Sequence, residues 1–464
     1  MPDTATHLST DVKQAVMQFI QHSRLEDFPP EIVTHARYCL LDLIGVAAAG
    51  RTTPTADIIT DYVAEQMCAH QNSPAVPLLF DGRVVSPTGA ALAGATIIDA
   101  TDAHDGFRPA KGHAGCSLLP ALLAALMARD GFLDEEELLC CLIIGYEIGS
   151  RAAMALHASV SDYHTSGAWG AIAVAAVTAR VEKLSDDALW HAMGIAEYHG
   201  PRSQMMRVID FTTMLKDGSG WGSCAGLSAT ALAKRGFTGA PAICIAADEV
   251  AHFWQDLGSE WLIMQQYFKP WAVCRWAQPA MQAVLDILSQ IEDVSALPAA
   301  IKTIHMEVFH EALRLATPHP QSEDEAQYSL CWPVAALLTA QAEGRKLGIY
   351  DVSSKALARA DIHALADKIT LGEEPEFNAV FPEQRWARVT LTLLDGRTYT
   401  ALARQTKGDP ETPLTYSELE EKFEQFMLDA GYADRADAIK KACLNAALPA
   451  ASSESHQLAK WIFS

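Results

Sequence analysis

From Asp134 to about Leu156 the chain is apolar nearly all the way round a helix, and such a helix has no face to give to water. It must be enclosed by other elements, which calls for a large, layered helical domain. Asp134 and Glu137 form a capping box at its start. Glu147 and Arg151 are spaced to pair along it.

Neighbouring segments read the same way. Pro29-Pro30 opens a predicted helix that runs to Gly50, with Ile32, Ala36, Leu40, Leu41 and Ile44 at helical spacing and Gly50 as the expected C-cap. Ser166 to Ala179 and Gly218 to Ala233 are dense in Gly, Ala and Ser. Tight helix packing explains such density, and so does backbone coming close to a ligand. The longest apolar runs, such as Leu118 to Ala128, are too short to cross a bilayer.

Strand signals are fewer. Val76 to Val85 alternates around Asp81-Gly82, a hairpin pattern. Past Phe268 the composition changes: Ala300 to Phe309 alternates like a strand, and a helix is predicted from about Glu325 to Ala342. Ala387 to Leu394 and Arg397 to Ala403 flank Asp395-Gly396 as a second hairpin. Ser417 and Glu420 cap a helical C-terminal part that would dock back on the first domain. The expected fold is mainly α. An all-helical domain takes residues 1–268 plus 406–464, and a smaller α+β domain takes 269–405.

Charge narrows the partners. The net charge is −22 and no basic stripe exists, so neither nucleic acid nor an anionic membrane surface is an expected partner. An anionic substrate would need its own local cations. The cysteines lack metal-ligand spacing and Met1 to Thr10 is polar, which points to a reducing, cytoplasmic setting. Nucleotide-binding glycine motifs, a Walker lysine and a nucleophile elbow are absent from the sequence.

The densest polar cluster is Asp99 to His113, with Asp102, His104, Asp105, Arg108 and Lys111 between. It contains Gly and Pro, so it reads as a loop ahead of an apolar helix. Three readings stand: a divalent metal site, a solvated capping loop, or an acid–base loop in which Arg108 and Lys111 hold carboxylates. His164 precedes a Gly/Ala-rich helix and is either a capping residue or an acid–base group. Lys216 precedes another such helix, after His199, Arg202 and Arg207, and is a base if burial lowers its pKa or an ordinary surface lysine if not. Lys269, Cys274, Arg275 and Gln278 lie at the expected domain boundary, where clefts favour ligands.

These clusters, in this order, resemble the MmgE/PrpD family along nearly the whole chain. The segments are Cys39 to Gly50, Asp102 to Gly115, Gly145 to Arg151, Tyr163 to Ala176, Leu215 to Gly226, Lys269 to Met281 and Ala326 to Leu338. The resemblance implies a helical domain built from both chain ends, an inserted α+β domain, a cleft active site, a homodimer, and no metal or organic cofactor. By position it carries the active site to Asp102, His113, His164 and Lys216, with His199 and Tyr146 beside them. Lys111-Gly112 and Gln278 stand where relatives have other residues. Those departures favour a cofactor-independent epimerase acting α to a carboxylate of an iminodisuccinate-like amino-polycarboxylate. Lys216 and His164 would serve its two faces, with His113 or Tyr146 as substitutes. Arg108, Lys111, Arg202, Arg207 and Arg275 would bind the carboxylates, joined by Asp102, His199 and Gln278. The alternative is a dehydratase or decarboxylase of a citrate-like tricarboxylate, of the 2-methylcitrate or cis-aconitate type. A non-catalytic carboxylate-binding protein is the alternative from another class.

Overall fold

The computed structural model describes residues 6–447 and 458–464. Its centre is the all-round apolar helix, Glu135–Ser159, whose Asp134 side chain accepts from the Glu137 amide. Glu147 and Arg151 pair inside it at 3.4 Å, both buried. Around it pack Pro30–Gly50, Gly115–Asp130 and Gly167–Val181. Glu135–Ser159 and Pro30–Gly50 are in fact long and apolar enough to cross a membrane, which corrects the length argument above. Their apolar windows are 94% and 83% buried within the protein.

The two small-residue stretches are helices Gly167–Val181 and Ser219–Ala233, packed on one another. A Cβ on Gly222 would sit 2.5 Å from the Gly167 carbonyl oxygen, so backbone-to-backbone approach sets the composition here. Gly50 is not a left-handed C-cap. It is the last helical residue, and a Cβ there would strike the carbonyl of Ile97.

The expected strands form. Val76–Pro77 pairs with Val84–Val85 around Gly82, which has positive φ. A four-stranded sheet runs in the order Ile369–Glu373, Ile301–Val308, Ala387–Leu393, Thr398–Ala403, with only the first pair parallel. Gln278–Leu288 packs across its last two strands.

The helix expected from Glu325 to Ala342 is two helices, Glu323–Gln327 and Cys331–Ala342. Pro333 has no amide hydrogen to give to the preceding turn, so a helix must restart just before it. Ser329 Oγ accepts from the Trp332 amide at 2.9 Å and fixes that restart.

The C-terminal capping box is Thr415 with Glu418, not Ser417 with Glu420: each side chain accepts the other's amide, at 3.2 and 2.7 Å. The helix it starts, Tyr416–Asp429, lies on Pro30–Gly50. Lys422 reaches in from it and donates to Asp42 Oδ1 at 2.6 Å and to the Ala103 carbonyl at 2.8 Å, all buried. Removing one partner of such a pair strands the other charge, at a cost of about 3–5 kcal/mol. Lys422→Met should therefore lower the unfolding free energy from urea titration by that amount. The double variant Asp42→Leu/Lys422→Met should recover most of it.

Candidate active site

One small cavity gathers the chemistry. The loop gives it Asp102, Lys111 and His113, and the turn before Ser219–Ala233 gives Asp217. The opposite wall is Tyr267, Lys269, Cys274, Arg275, Trp276, Tyr328 and Arg385, with Met205, Val208 and Ile209 as an apolar edge. The cavity volume is about 50 Å³, room for a water or two. A larger ligand enters only if the walls part.

Backbone geometry aims the loop. Asp102, Lys111 and Lys216 have φ of 49°, 50° and 45°. Each is a left-handed conformation that costs a non-glycine residue about 1–3 kcal/mol. The short strand Gly106–Phe107 pairs with Gln266–Tyr267 and so joins the loop to the opposite wall. Gly106 permits this, because a Cβ there would collide with the Tyr267 ring and lie 2.9 Å from His113 Nδ1.

Asp102 is buried and holds Lys269, whose Nζ donates to Oδ1 at 2.7 Å and to the Asp102 carbonyl at 2.9 Å. Burial alone would lower the lysine's pKa. The Asp102 charge and hydrogen bond outweigh it, and the net shift is upward.

His113 donates its Nδ1 hydrogen to the Asp105 carbonyl, which leaves Nε2 as the lone-pair nitrogen. Nε2 lies 3.3 Å from Asp217 Oδ2. Two lone pairs at that distance need a proton between them. Burial, then the Lys269 charge, lowers His113 to about 3. Burial, then the Asp102 charge, raises Asp217 to about 6. Both shifts favour the neutral pair, a carboxyl hydrogen on Asp217 held by a neutral imidazole. Ser166 Oγ donates to the same carboxyl at 3.2 Å and accepts from the His113 amide at 3.0 Å.

Other expected residues stand behind these. Tyr146 is fully buried and donates to Asp105, so it braces the loop. Gln278 Oε1 accepts from Arg275 at 2.6 Å and does not line the cavity. Lys216 is buried, but its Nζ is bonded to Gln327 at 2.6 Å and to Asp324 at 2.9 Å, outside the cavity wall.

Several expectations fail. His164 does not line the cavity; its Nε2 is 4.0 Å from Asp162 and its amide bonds to His157. Arg108 is taken up by Glu411. His199 and Arg207 are exposed, and Arg202 pairs with Glu197 at 3.4 Å. His199 ends the helix Asp186–His199, and none of the three lines the cavity, although Met205, Val208 and Ile209 around Arg207 do. The sequence reading did not name Asp217, Tyr267, Tyr328 or Arg385 as site residues, and it marked Lys269 only as part of the boundary cluster. Lys269 and Asp217 were visible inside quoted segments, whereas Arg385 had no motif around it.

Two sets of side chains could hold a divalent ion: Asp102 with His104 and His113, and Asp99 with His104 and Asp217, their ligand atoms within 4.8 Å of one another. His104 is fully buried and neither ring nitrogen has a partner. Burial, then the fields of His113, Lys269, Lys422 and Lys216, depresses its pKa strongly. The same three ammonium groups oppose a dication.

Comparison with known proteins adds the family. A model of the MmgE/PrpD N-terminal domain matches residues 14–253, and one of the C-terminal domain matches 271–446. The chain is 26% identical to the cis-aconitate decarboxylase of Aspergillus terreus over 197 residues, 41% of this chain and 39% of that protein. The match thus spans well under two thirds of the Aspergillus protein. It is 24% identical to the human cis-aconitate decarboxylase over 416 residues, 84% of this chain and 82% of that protein. The mouse protein of the same name is 25% identical over 412 residues.

With three lysines already set around His104, exhaustive chelation should leave the thermal midpoint unchanged. A midpoint that falls on chelation and returns with zinc would assign an ion to these acids and histidines.

Proposed function

The chain belongs to the MmgE/PrpD family, and we propose that it is a lyase decarboxylating a cis-aconitate-like tricarboxylate. One observation carries the reading: a small, cation-lined cavity sets His113 Nε2 3.3 Å from Asp217 Oδ2. The names of the relatives support it and move the balance from isomerase to lyase. Lys216 and His164, the pair the epimerase expectation relies on, are not among the residues lining this cavity.

The chemistry fits a site that works with side chains alone. In such a substrate the carboxylate to be lost sits on a carbon next to the double bond. When its C–C bond breaks, the electron pair forms a new double bond to the central carbon. The old π pair moves to the far carbon, beside a retained carboxylate, where charge develops as an enediolate. The double bond is therefore the electron sink. The enzyme must hold the retained carboxylates, stabilise the enediolate and supply one proton. Lys269, fixed by Asp102, is placed to face developing charge. Asp217 gives the proton to carbon while His113 orients it, and water later restores it. Carbon dioxide leaves, and the product is a methylene-substituted dicarboxylate.

Turnover should appear as carbon dioxide release and a new terminal methylene (CH2=C) signal in NMR when cis-aconitate is added. Racemisation of an amino-polycarboxylate without carbon dioxide would overturn the reading. Asp217→Asn keeps the shape but removes the acid, and kcat should fall by roughly 10²–10⁴. The acid form is the active one. With its pKa raised to about 6, kcat should be flat below that pH and fall about tenfold per unit above it.

A further inference from the structure

Among the described residues, Arg385 is the one guanidinium lining the cavity that forms no ion pair. It is 8% exposed, its Nε and Nη1 have no hydrogen-bond partner, and its centre lies 5.9 Å from the Tyr267 ring. The other lining cations are compensated: Lys269 by Asp102 at 2.7 Å and Arg275 by Asp409 at 2.6 Å. Lys111 is the exception beside it, half-buried, with its Nζ over the Tyr163 ring and no ion pair among the described residues. Burial, then the field of Arg385, lowers Lys111 to about 8. Two like charges therefore feel each other across one cavity.

A buried, unpaired guanidinium is costly, because desolvation is not repaid by a partner. A fold keeps one where an anion arrives to complete it, and Arg presents a fork matched to a carboxylate. We propose that Arg385 and Lys111 form a two-point clamp for the retained carboxylates of the substrate. The site then selects molecules with at least two carboxylates, and monocarboxylates bind weakly. The inference rests on the proposed decarboxylase reading, which it deepens by naming the binding groups. Arg385 is contributed from just before the strand Ala387–Leu393 and Lys111 from the loop, so one bound anion spans both walls and favours their closure.

The probe is propane-1,2,3-tricarboxylate, which has no double bond to accept electrons and so binds without reacting. Calorimetry should give at least a 100-fold weaker Kd for Arg385→Met than for the wild type, a loss in the range of a truncated charged pair. Arg385→Lys should recover part of it, and Lys111→Met should show a smaller loss. Propionate binding should change little in any variant. The ligand-free thermal midpoint gives a second readout. Arg385→Met should raise it, because a stranded charge is gone, and the tricarboxylate should no longer shift it. A lower midpoint with unchanged tricarboxylate affinity would make Arg385 a packing residue and overturn the clamp. The two readings fail separately. Wild type that binds the tricarboxylate through Arg385 but releases no carbon dioxide from cis-aconitate would sink the decarboxylase alone. Decarboxylation with unchanged KM in Arg385→Met would sink the clamp alone.

Discussion

The buried pair of Lys269 and Asp102 is the contact on which the site depends. Asp102 belongs to a loop of the helical part, and Lys269 begins the segment that leads into the α+β part. Neither charge could remain ionised in so buried a place alone. Each therefore fixes the other, and the two walls of the cavity are held in register. Lys422 acts likewise from the C-terminal side, since its ammonium takes Asp42 and the carbonyl of Ala103, the residue after Asp102. Lys216 with Asp324 ties the turn before Ser219–Ala233 to the broken helix. Two lysines thus hold the strained loop, Lys269 at Asp102 and Lys422 at Ala103, and Lys216 holds the neighbouring turn. Tight ties of this kind let Asp102, Lys111 and Lys216 keep left-handed backbones that an isolated loop would relax.

How much of this could be read from the sequence follows from the range of each signal. The all-round apolar helix, the two small-residue helices and both hairpins come from local periodicity and turn chemistry, and they form where expected. Local rules failed where a tertiary or chain-stopping effect intervened. Pro333 splits one predicted helix, and the break brings Tyr328 to the cavity. Gly50 serves close packing against Ile97 rather than a cap. In the site, the dense loop marked Asp102, Lys111 and His113 because many polar residues in a short glycine-containing segment are already a local signal. Arg275 was marked as one of several available cations. Arg385 stands alone in its segment, and only the three-dimensional count of charges singles it out. His199, Arg202 and Arg207 show the converse: a residue can stand next in sequence to a cavity-lining one, as Arg207 does to Val208, and still lie outside the lining.

The same charge count answers how a chain of net charge −22 can receive a polyanion. Burial alters the acids as much as it places the cations. Asp217 is raised to about 6 by burial and then by Asp102. Asp105 is raised to about 7 by burial, and Asp99 to about 8 by burial and then by the Asp217 charge. At pH 7 these shifts leave Asp99 mostly protonated, Asp105 about half protonated and Asp217 mostly ionised. Asp99 and Asp105 do not line the cavity, but they stand beside residues that do, and their partial neutrality weakens the repulsion a carboxylate would meet there. The proton the site would lend to carbon is drawn from the same buried acids. The proposed anion binding and acid catalysis would then share one physical cause, the removal of water from a cluster of aspartates.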